Sequence, residues 1–422
     1  MNSDEQNVSL SKSVAAVDQI NTHFYERFQY PQEPLMLSAA VDPLFETRML
    51  NQSVGSWTHS LLPQDAKIWV AGCGTNQAAM TGLKFPNAVI LASDLSSESL
   101  ATAERISRGL GLKNLAFKRE SINETRYSGE FDYIICTGVI HHNADPALSL
   151  SKLAAALRPN GILELMVYNR YHRVLTTAFQ KAIRLLSANL DFEVDLQSAK
   201  SLVKNIKIDN LLARFIATQF EKSEAEFADA LLQPVEHSYT LESLIDLLRS
   251  CGLELLAPCV NQFDKAGGTF LWNLQVDDPA LATHYDSLPD MERWKISNHL
   301  MMEKSPMLWF YCRHRNGRAR PSEQELCQQF MQGRFRPAKT QRAMYCKSNH
   351  LVYERSARLL EHPGSHPDPT CRKIVTATAQ GAPARMADIV RNLGIAENFA
   401  TINRIRLCLT TSEFPYLLAV PA

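Results

Sequence analysis

The 422-residue sequence lacks net charge: 44 Lys and Arg balance 44 Asp and Glu. The basic field that draws a protein non-specifically onto nucleic acid or anionic lipid is therefore missing. No run of roughly 18 apolar residues occurs, so no membrane-spanning helix is expected. The N-terminus, MNSDEQNVSLSKS, has no apolar stretch and does not read as a secretory signal. Cysteine is sparse and scattered, at 73, 136, 251, 259, 312, 327, 346, 371 and 408, an odd number with no C-x-x-C. That pattern excludes a disulfide framework and a cysteine zinc site; reduced thiols, a cytoplasmic location and no metal are expected. Internal repeats are also missing. What is present is core-forming: 45% hydrophobic and 21% charged residues describe a globular chain, long enough for two or three domains.

The N-terminal KSVAAVDQINTHFYERFQY reads as an amphipathic helix stopped by Pro31 and Pro34, and a second helix is expected from Phe45 to Leu62. From Lys67 short apolar runs alternate with helical segments: KIWVAGCG, AVILASD, NLAFKRE, FDYIICTG and ILELMVYN. Strands buried on both faces lose apolar/polar alternation, so this is α/β grammar, a doubly wound parallel sheet with helices on both sides. Residues 174–235 carry no glycine or proline before Pro234 and read as a helical insertion. Helix-then-strand grammar returns with Thr240 as N-cap, Gly252 just past the helix, LELLAPCV as a strand and MLWFYCRHR as a further strand. The expected domains are a helical cap over 1–60, a core over 61–173, the insertion over 174–235, completion of the sheet over 236–315, and 316–422 as linker plus a small C-terminal α+β unit, winged-helix-like in outline. Residues 313–343, rich in Arg, Gln and Pro, are expected to form the exposed linker. The basic run Arg313 to Arg320 with Arg334, Arg336, Lys339 and Arg342 has little aromatic interleaving, so it reads as solvated and no nucleic-acid partner is expected.

The first apolar run ends in Gly72-Cys73-Gly74-Thr75-Asn76-Gln77. Two glycines let backbone approach a ligand, and the following helix presents free N–H groups. Asp94, at the tip of the next strand, can accept hydrogen bonds from ribose hydroxyls or can cap the helix after it. Position 77 holds Gln where a dinucleotide turn has its third glycine, so an adenosine ligand without a pyrophosphate, S-adenosylmethionine, fits better.

Four segments in order, VAGCG, ILASDLSSESL, FDYIICTGVIHHNADP and LRPNGILELMVYNR, resemble the motifs of class I S-adenosylmethionine-dependent methyltransferases. The local form AGCGT, DLS and GVIHH is similar to a bacterial subset, and the layout of cap, insertion and C-terminal unit resembles bacterial protein lysine methyltransferases. The resemblance implies S-adenosylmethionine as cofactor, with Gly72, Cys73, Gly74, Asn76 and Gln77 around its methionine part. Asp94 would then hold the ribose, Leu95 and Ile122 pack on the adenine, and Thr137 and Gly138 line the sulfonium side. Ser121 stands where relatives often have an acid for the adenine amine, and Glu120 could move into that contact.

At the open end of the sheet His141 or His142 could serve as a general base, or instead cap a helix or stack on the cofactor. Tyr168 follows the fifth strand. Arg170, Tyr171 and Arg173 could bind an acceptor or start the inserted helix in solvent. Tyr25, Phe28 and Tyr30 could form a lid or simply a packing face, and His237 could reach the acceptor or lie in a capping turn. The expected activity is methyl transfer to nitrogen or oxygen, with a protein or peptide side chain favoured over a small molecule. A non-catalytic cofactor-binding module is the remaining reading. A homodimer is compatible with all three.

Overall fold

The computed structural model describes residues 13–57, 61–187, 191–219, 221–259, 263–264, 269–315, 320–338, 341–348, 352–361, 368–379, 384–411 and 415–420. The N-terminal segment holds α1 (Val14–Arg27), β1 (Met36–Ala40) and α2 (Phe45–Ser53). Alternating elements follow: β2 (Lys67–Ala71), α3 (Gln77–Lys84), β3 (Val89–Asp94), α4 (Ser97–Gly109), β4 (Leu115–Arg119), β5 (Phe131–Thr137), α5 (Pro146–Ala156) and β6 (Leu157–Val167). Four helices come next, α6 (Arg170–Leu186), α7 (Phe192–Asn205), α8 (Leu211–Gln219) and α9 (Glu224–Leu231). The sheet is then completed through α10 (Leu241–Ser250), β7 (Leu253–Pro258), the two-residue strands β8 (Phe263–Asp264) and β9 (Thr269–Phe270), α11 (Pro279–Ser287), α12 (Asp290–Met301) and β10 (Leu308–His314). The C-terminal part consists of α13 (Glu323–Gln332), β11 (Phe335–Pro337), β12 (Gln341–Lys347), β13 (Tyr353–Glu361), α14 (Pro369–Ala379), α15 (Met386–Asn392), α16 (Phe399–Thr410) and β14 (Leu417–Ala419).

The central sheet has seven strands in the order β4-β3-β2-β5-β6-β10-β7. Its first five strands are parallel, and β10 runs antiparallel between β6 and β7. Alternate residues of β2 enter opposite cores: Trp69 and Ala71 pack on one face, Ile68 and Val70 on the other. This two-sided burial explains the unbroken apolar runs. The caps follow the sequence. Ser96 starts α4, Asp145 with Pro146 at the first helical position starts α5, and Thr240 starts α10 in a capping box. Gly252 follows α10 with φ +73°, the left-handed conformation that glycine adopts at least cost.

Three expectations need correction. The helix expected from Phe45 to Leu62 stops at Ser53, because Gly55 turns left-handed (φ +75°) against Leu326. The N-terminal segment is not wholly helical either, since β1 pairs with β12 and β12 with β13 in a separate three-stranded sheet. Residues 320–338 are no exposed linker: Leu326, Cys327 and Phe330 of α13 and Phe335 of β11 are core residues. Several arginines of the basic run are engaged inside the fold, Arg313 with Glu254, Arg320 with Asp290, and Arg342 with Ser38. Residues 316–319 and Lys339 of that run lie outside the described residues.

A buried ionic network fastens the C-terminal helices to the sheet half. Arg293 of α12, 1% exposed, pairs with Asp290 (2.8 Å) and with Glu323 of α13. Asn403 of α16 donates to Glu323 (3.3 Å), and the Glu323 backbone N–H donates to Asp290 (2.9 Å). A second clamp is Gln52 of α2, which donates to the carbonyls of Thr410 and Leu417 and accepts from the Ala419 N–H. Removing one member of a buried ion pair leaves the other charged and unsolvated. Glu323→Ala should therefore cost about 3–5 kcal/mol in urea denaturation and expose α13 to limited proteolysis. A loss under about 1 kcal/mol, the range of a surface pair, would contradict the network's role.

Candidate functional site

The parallel strands end at one edge, where the backbone turn after β2 is held from below. Ser93 O accepts from the N–H groups of Gly72 (2.8 Å) and Cys73 (2.9 Å), and the Asp94 carboxylate accepts from the Gly74 N–H (2.8 Å). Gly72 and Gly74 have φ of +73° and +53°, and a Cβ on Gly72 would sit 2.5 Å from the Val139 side chain. The turn therefore needs glycine for both conformation and space. Above it lies a cavity of about 510 Å³. Gly72, Cys73, Gly74, Asn76, Gln77, Asp94, Leu95, Ser121, Ile122, Thr137 and Gly138 all line it, so the structure brings the sequence-expected cofactor residues together. Asp94 is half-buried, and desolvation pushes its carboxyl pKa up against the pull of its backbone donors Ser96 and Gly74. The helix cap after β3 is the Ser96 hydroxyl, not Asp94. Ser121 donates to Asp18 of α1 (2.5 Å), so its hydroxyl hydrogen is engaged, while Glu120 lines the cavity and accepts from Tyr127 (2.7 Å). An adenosine fits this set: apolar Leu95 and Ile122 for a ring, a carboxylate for hydroxyls, and a turn open to close backbone approach.

The same cavity continues to Asn21, Tyr25, Tyr30, His142, Asn143, Tyr168 and Asp229. Phe24 and Phe28 of α1 pack with Phe179, Phe192 and Phe227 of the inserted helices, which sets the far wall. His142 Nδ1 contacts Val235 O at 2.9 Å, so the neutral ring donates there and Nε2 is left as an acceptor. Burial lowers the His142 pKa to about 4. Asp229 responds the other way: burial raises its pKa to about 6, while Gln233, Arg173 and the neighbouring Tyr25 hydroxyl pull it partly back. Arg173 is bound to Glu236 through two nitrogens (2.7 and 2.6 Å) and lies over the Tyr168 ring, so its charge is compensated.

Other expected residues stand elsewhere. His141 is fully buried beside Tyr168 (ring centroids 3.9 Å), its ring nitrogens have no partner among the described residues, and burial drives its pKa well below 6.5. Arg170 and Tyr171 begin α6 outside the cavity; Arg170 donates to Ser238 O and Tyr171 contacts His299. His237 contacts Asn143 O (3.1 Å) in the turn that returns from the insertion, also outside the cavity. Phe28 is core, not lid. Sequence reasoning missed Asp229, Asn21 and Asp18. Each sits on an amphipathic helix, where an isolated polar residue reads as solvent-facing.

The depressed His142 pKa has a stability consequence. Between pH 6.5 and about 4 the unfolded chain takes up a proton that the native ring does not, so this group lowers stability as pH falls. The difference in stability between wild type and His142→Gln should shift by roughly 3 kcal/mol across that range, read by denaturation at each pH. The raised Asp229 pKa acts in the opposite sense in both proteins and cancels in the difference. A constant difference would contradict the burial assignment.

Known proteins point the same way. A methyltransferase-domain model matches residues 67–226. An uncharacterised protein of Synechococcus sp. is 30% identical over 253 residues, 57% of this chain and 60% of that protein. An uncharacterised protein of Rickettsia prowazekii is 28% identical over 171 residues, 40% of this chain and 30% of that one. The chain thus spans 60% and 30% of the lengths of these curated relatives. The solved structure of PKMT2 from Rickettsia typhi superposes with a TM-score of 0.56 at 15% identity, over 92% of this chain and 76% of that one. Its complex with AdoHcy gives 0.57 at 15% identity, over 93% and 78%. At that identity the likeness speaks for the fold alone. Together with the sheet order and the glycine turn above Asp94, the domain match identifies residues 67–226 as a methyltransferase domain of the class I S-adenosylmethionine-dependent family.

Proposed function

We propose that the protein transfers a methyl group from S-adenosylmethionine to an amine nitrogen of a protein or peptide side chain, lysine being the acceptor that suits the site. The observation that carries this reading is the single cavity joining the Gly72–Gly74 turn and Asp94 to a far end of three tyrosines and one acid. The cofactor supplies an electrophilic methyl on a charged sulfonium. The protein's part is to hold that methyl, exclude water and align a nucleophile. Tyr25 and Tyr30 from the N-terminal segment and Asp229 from the insertion wall the acceptor end, so both additions to the core shape the substrate site. Neither histidine suits proton uptake near neutral pH, since burial keeps both neutral and weakly basic. The likeness to PKMT2 is one of fold, so the choice of acceptor rests on the residues that line the cavity. A second reading, a small amine metabolite, is favoured by the walls that the cap and insertion raise around the cavity.

Incubating the enzyme with methyl-labelled cofactor and a cell lysate separates the readings. Label is expected in acid-precipitable protein and should resist mild base, as N-methyl groups do. Label confined to small molecules would favour the second reading, and no transfer despite cofactor binding would leave a non-catalytic module. Asp94→Ala should lower S-adenosylhomocysteine affinity by about tenfold to a hundredfold, the equivalent of roughly 1.5–3 kcal/mol of charge-assisted hydrogen bonding. Unchanged calorimetric affinity in the folded variant would remove Asp94 from the cofactor site.

A further inference from the structure

We infer that Asp229, with Asn21 and His142, forms a recognition site for a cationic primary amine at the acceptor end of the cavity. This rests on the methyltransferase reading above and deepens it. The three side chains come from separate parts of the chain: Asn21 from α1, His142 from the turn after β5, and Asp229 from α9. All three line the cavity, and each is less than a tenth exposed.

What unites them is that each offers an acceptor. Asn21 is 3% exposed, and its amide is oriented by the bond from Nδ2 to His142 O (2.7 Å). Its Oδ1 then has no partner among the described residues. The neutral His142 ring spends its hydrogen on Val235 O, which makes Nε2 an acceptor. Asp229 Oδ1 receives a bond from Gln233 (3.3 Å) and the carboxylate a second from the Tyr25 hydroxyl, but no cation pairs with it among the described residues, since the nearby Arg173 is engaged by Glu236. Buried polar groups without partners cost free energy, so a wall with an unpartnered amide oxygen, an imidazole acceptor and a carboxylate without a cation is poised for a charged donor. A primary ammonium has three N–H donors and no acceptor. Tyr25 and Tyr30 line the same end, and aromatic rings there attract a cation. An alcohol brings one donor and no charge, and would leave most of these acceptors unmet.

Asp229 also solves the proton problem of the reaction. An ammonium has no lone pair, so one proton must leave before attack. Asp229 takes that proton from the nitrogen. The freed lone pair forms the N–C bond as the C–S bond breaks, leaving a neutral thioether and a methylated ammonium. The Asp229 proton passes to water as product departs. Asp229 is placed for this because its carboxylate lines the same end of the cavity as the Asn21 and His142 acceptors that would hold the nitrogen, and burial raises its pKa.

The test is calorimetric, on protein saturated with S-adenosylhomocysteine, with n-butylammonium as the lysine side-chain probe and n-butanol as its uncharged isostere. Wild type should bind the ammonium at least about tenfold more tightly than the alcohol, and Asp229→Asn should lose about tenfold or more of the ammonium affinity. S-adenosylhomocysteine affinity should stay within about twofold, which also reports that the variant is folded. Equal affinity of wild type for the two probes would overturn the inference without needing any variant. So would unchanged ammonium binding in Asp229→Asn. A parallel loss of S-adenosylhomocysteine affinity would place Asp229 on the cofactor and overturn it as well. Failure of wild type to bind S-adenosylhomocysteine at all would instead overturn the methyltransferase reading beneath it.

Discussion

The bond from the Gly74 N–H to the Asp94 carboxylate is the constraint on which the site depends. It ties the ends of the first two parallel strands together and, with Ser93 O, holds the turn in a conformation that glycine adopts without strain. An acid at this point does two things at once. It organises backbone, accepting from the N–H groups of Gly74 and Ser96, and it lines the cavity, where the proposed ribose contact would use its remaining lone pairs. Because it is half-buried, each of those hydrogen bonds acts in a medium less polar than water, where it is stronger.

Everything beyond the sheet edge is arranged around that turn. Helix α1 reaches across it, with Asp18 bound to Ser121 on the cofactor side and Asn21 bound to the His142 carbonyl on the other. The inserted helices lean on α1 through a phenylalanine core, and Arg27 pairs with Glu193 and Glu224 at its outer margin. Among the described residues, the C-terminal part does not line the cavity. It holds the N-terminal segment from behind, through the β1–β12 pairing and the Gln52 clamp. The position of α1, and with it the shape of the acceptor end, is thereby linked to residues some 300 positions away in the chain.

What was legible in the sequence is what local physics determines. Two-sided burial leaves its mark in the inner parallel strands, from Ile68 to Val70 as much as in Ile134 to Cys136, and not in the edge strand β4. Glycines in the turn after a strand, an acid at the next strand tip, and caps such as Thr240 with Gly252 are short-range signals, and the structure has each of them as local geometry. Pairing at long range leaves no such mark, so Met36–Ala40 passed for the tail of a helical cap and 320–338 for a linker. The site follows the same division. Asp94 was readable as a cavity residue because it ends a parallel strand. Asp229 was not, because an acid on an amphipathic helix reads as solvated until the neighbouring helices are placed. His141 and His142 illustrate the converse: residue type suggested a base, and burial, invisible in the sequence, takes that property away.

The central claim is that one cavity holds cofactor and acceptor end to end, the ribose on Asp94 and the reacting methyl toward Asp229. The most direct measurement is a crystal structure of the protein with S-adenosylhomocysteine bound. The ribose hydroxyls should lie within hydrogen-bond distance of Asp94, with the sulfur turned toward Tyr25, Tyr168 and Asp229. A ligand bound outside this cavity, or one whose sulfur faces away from Asp229, would contradict the account.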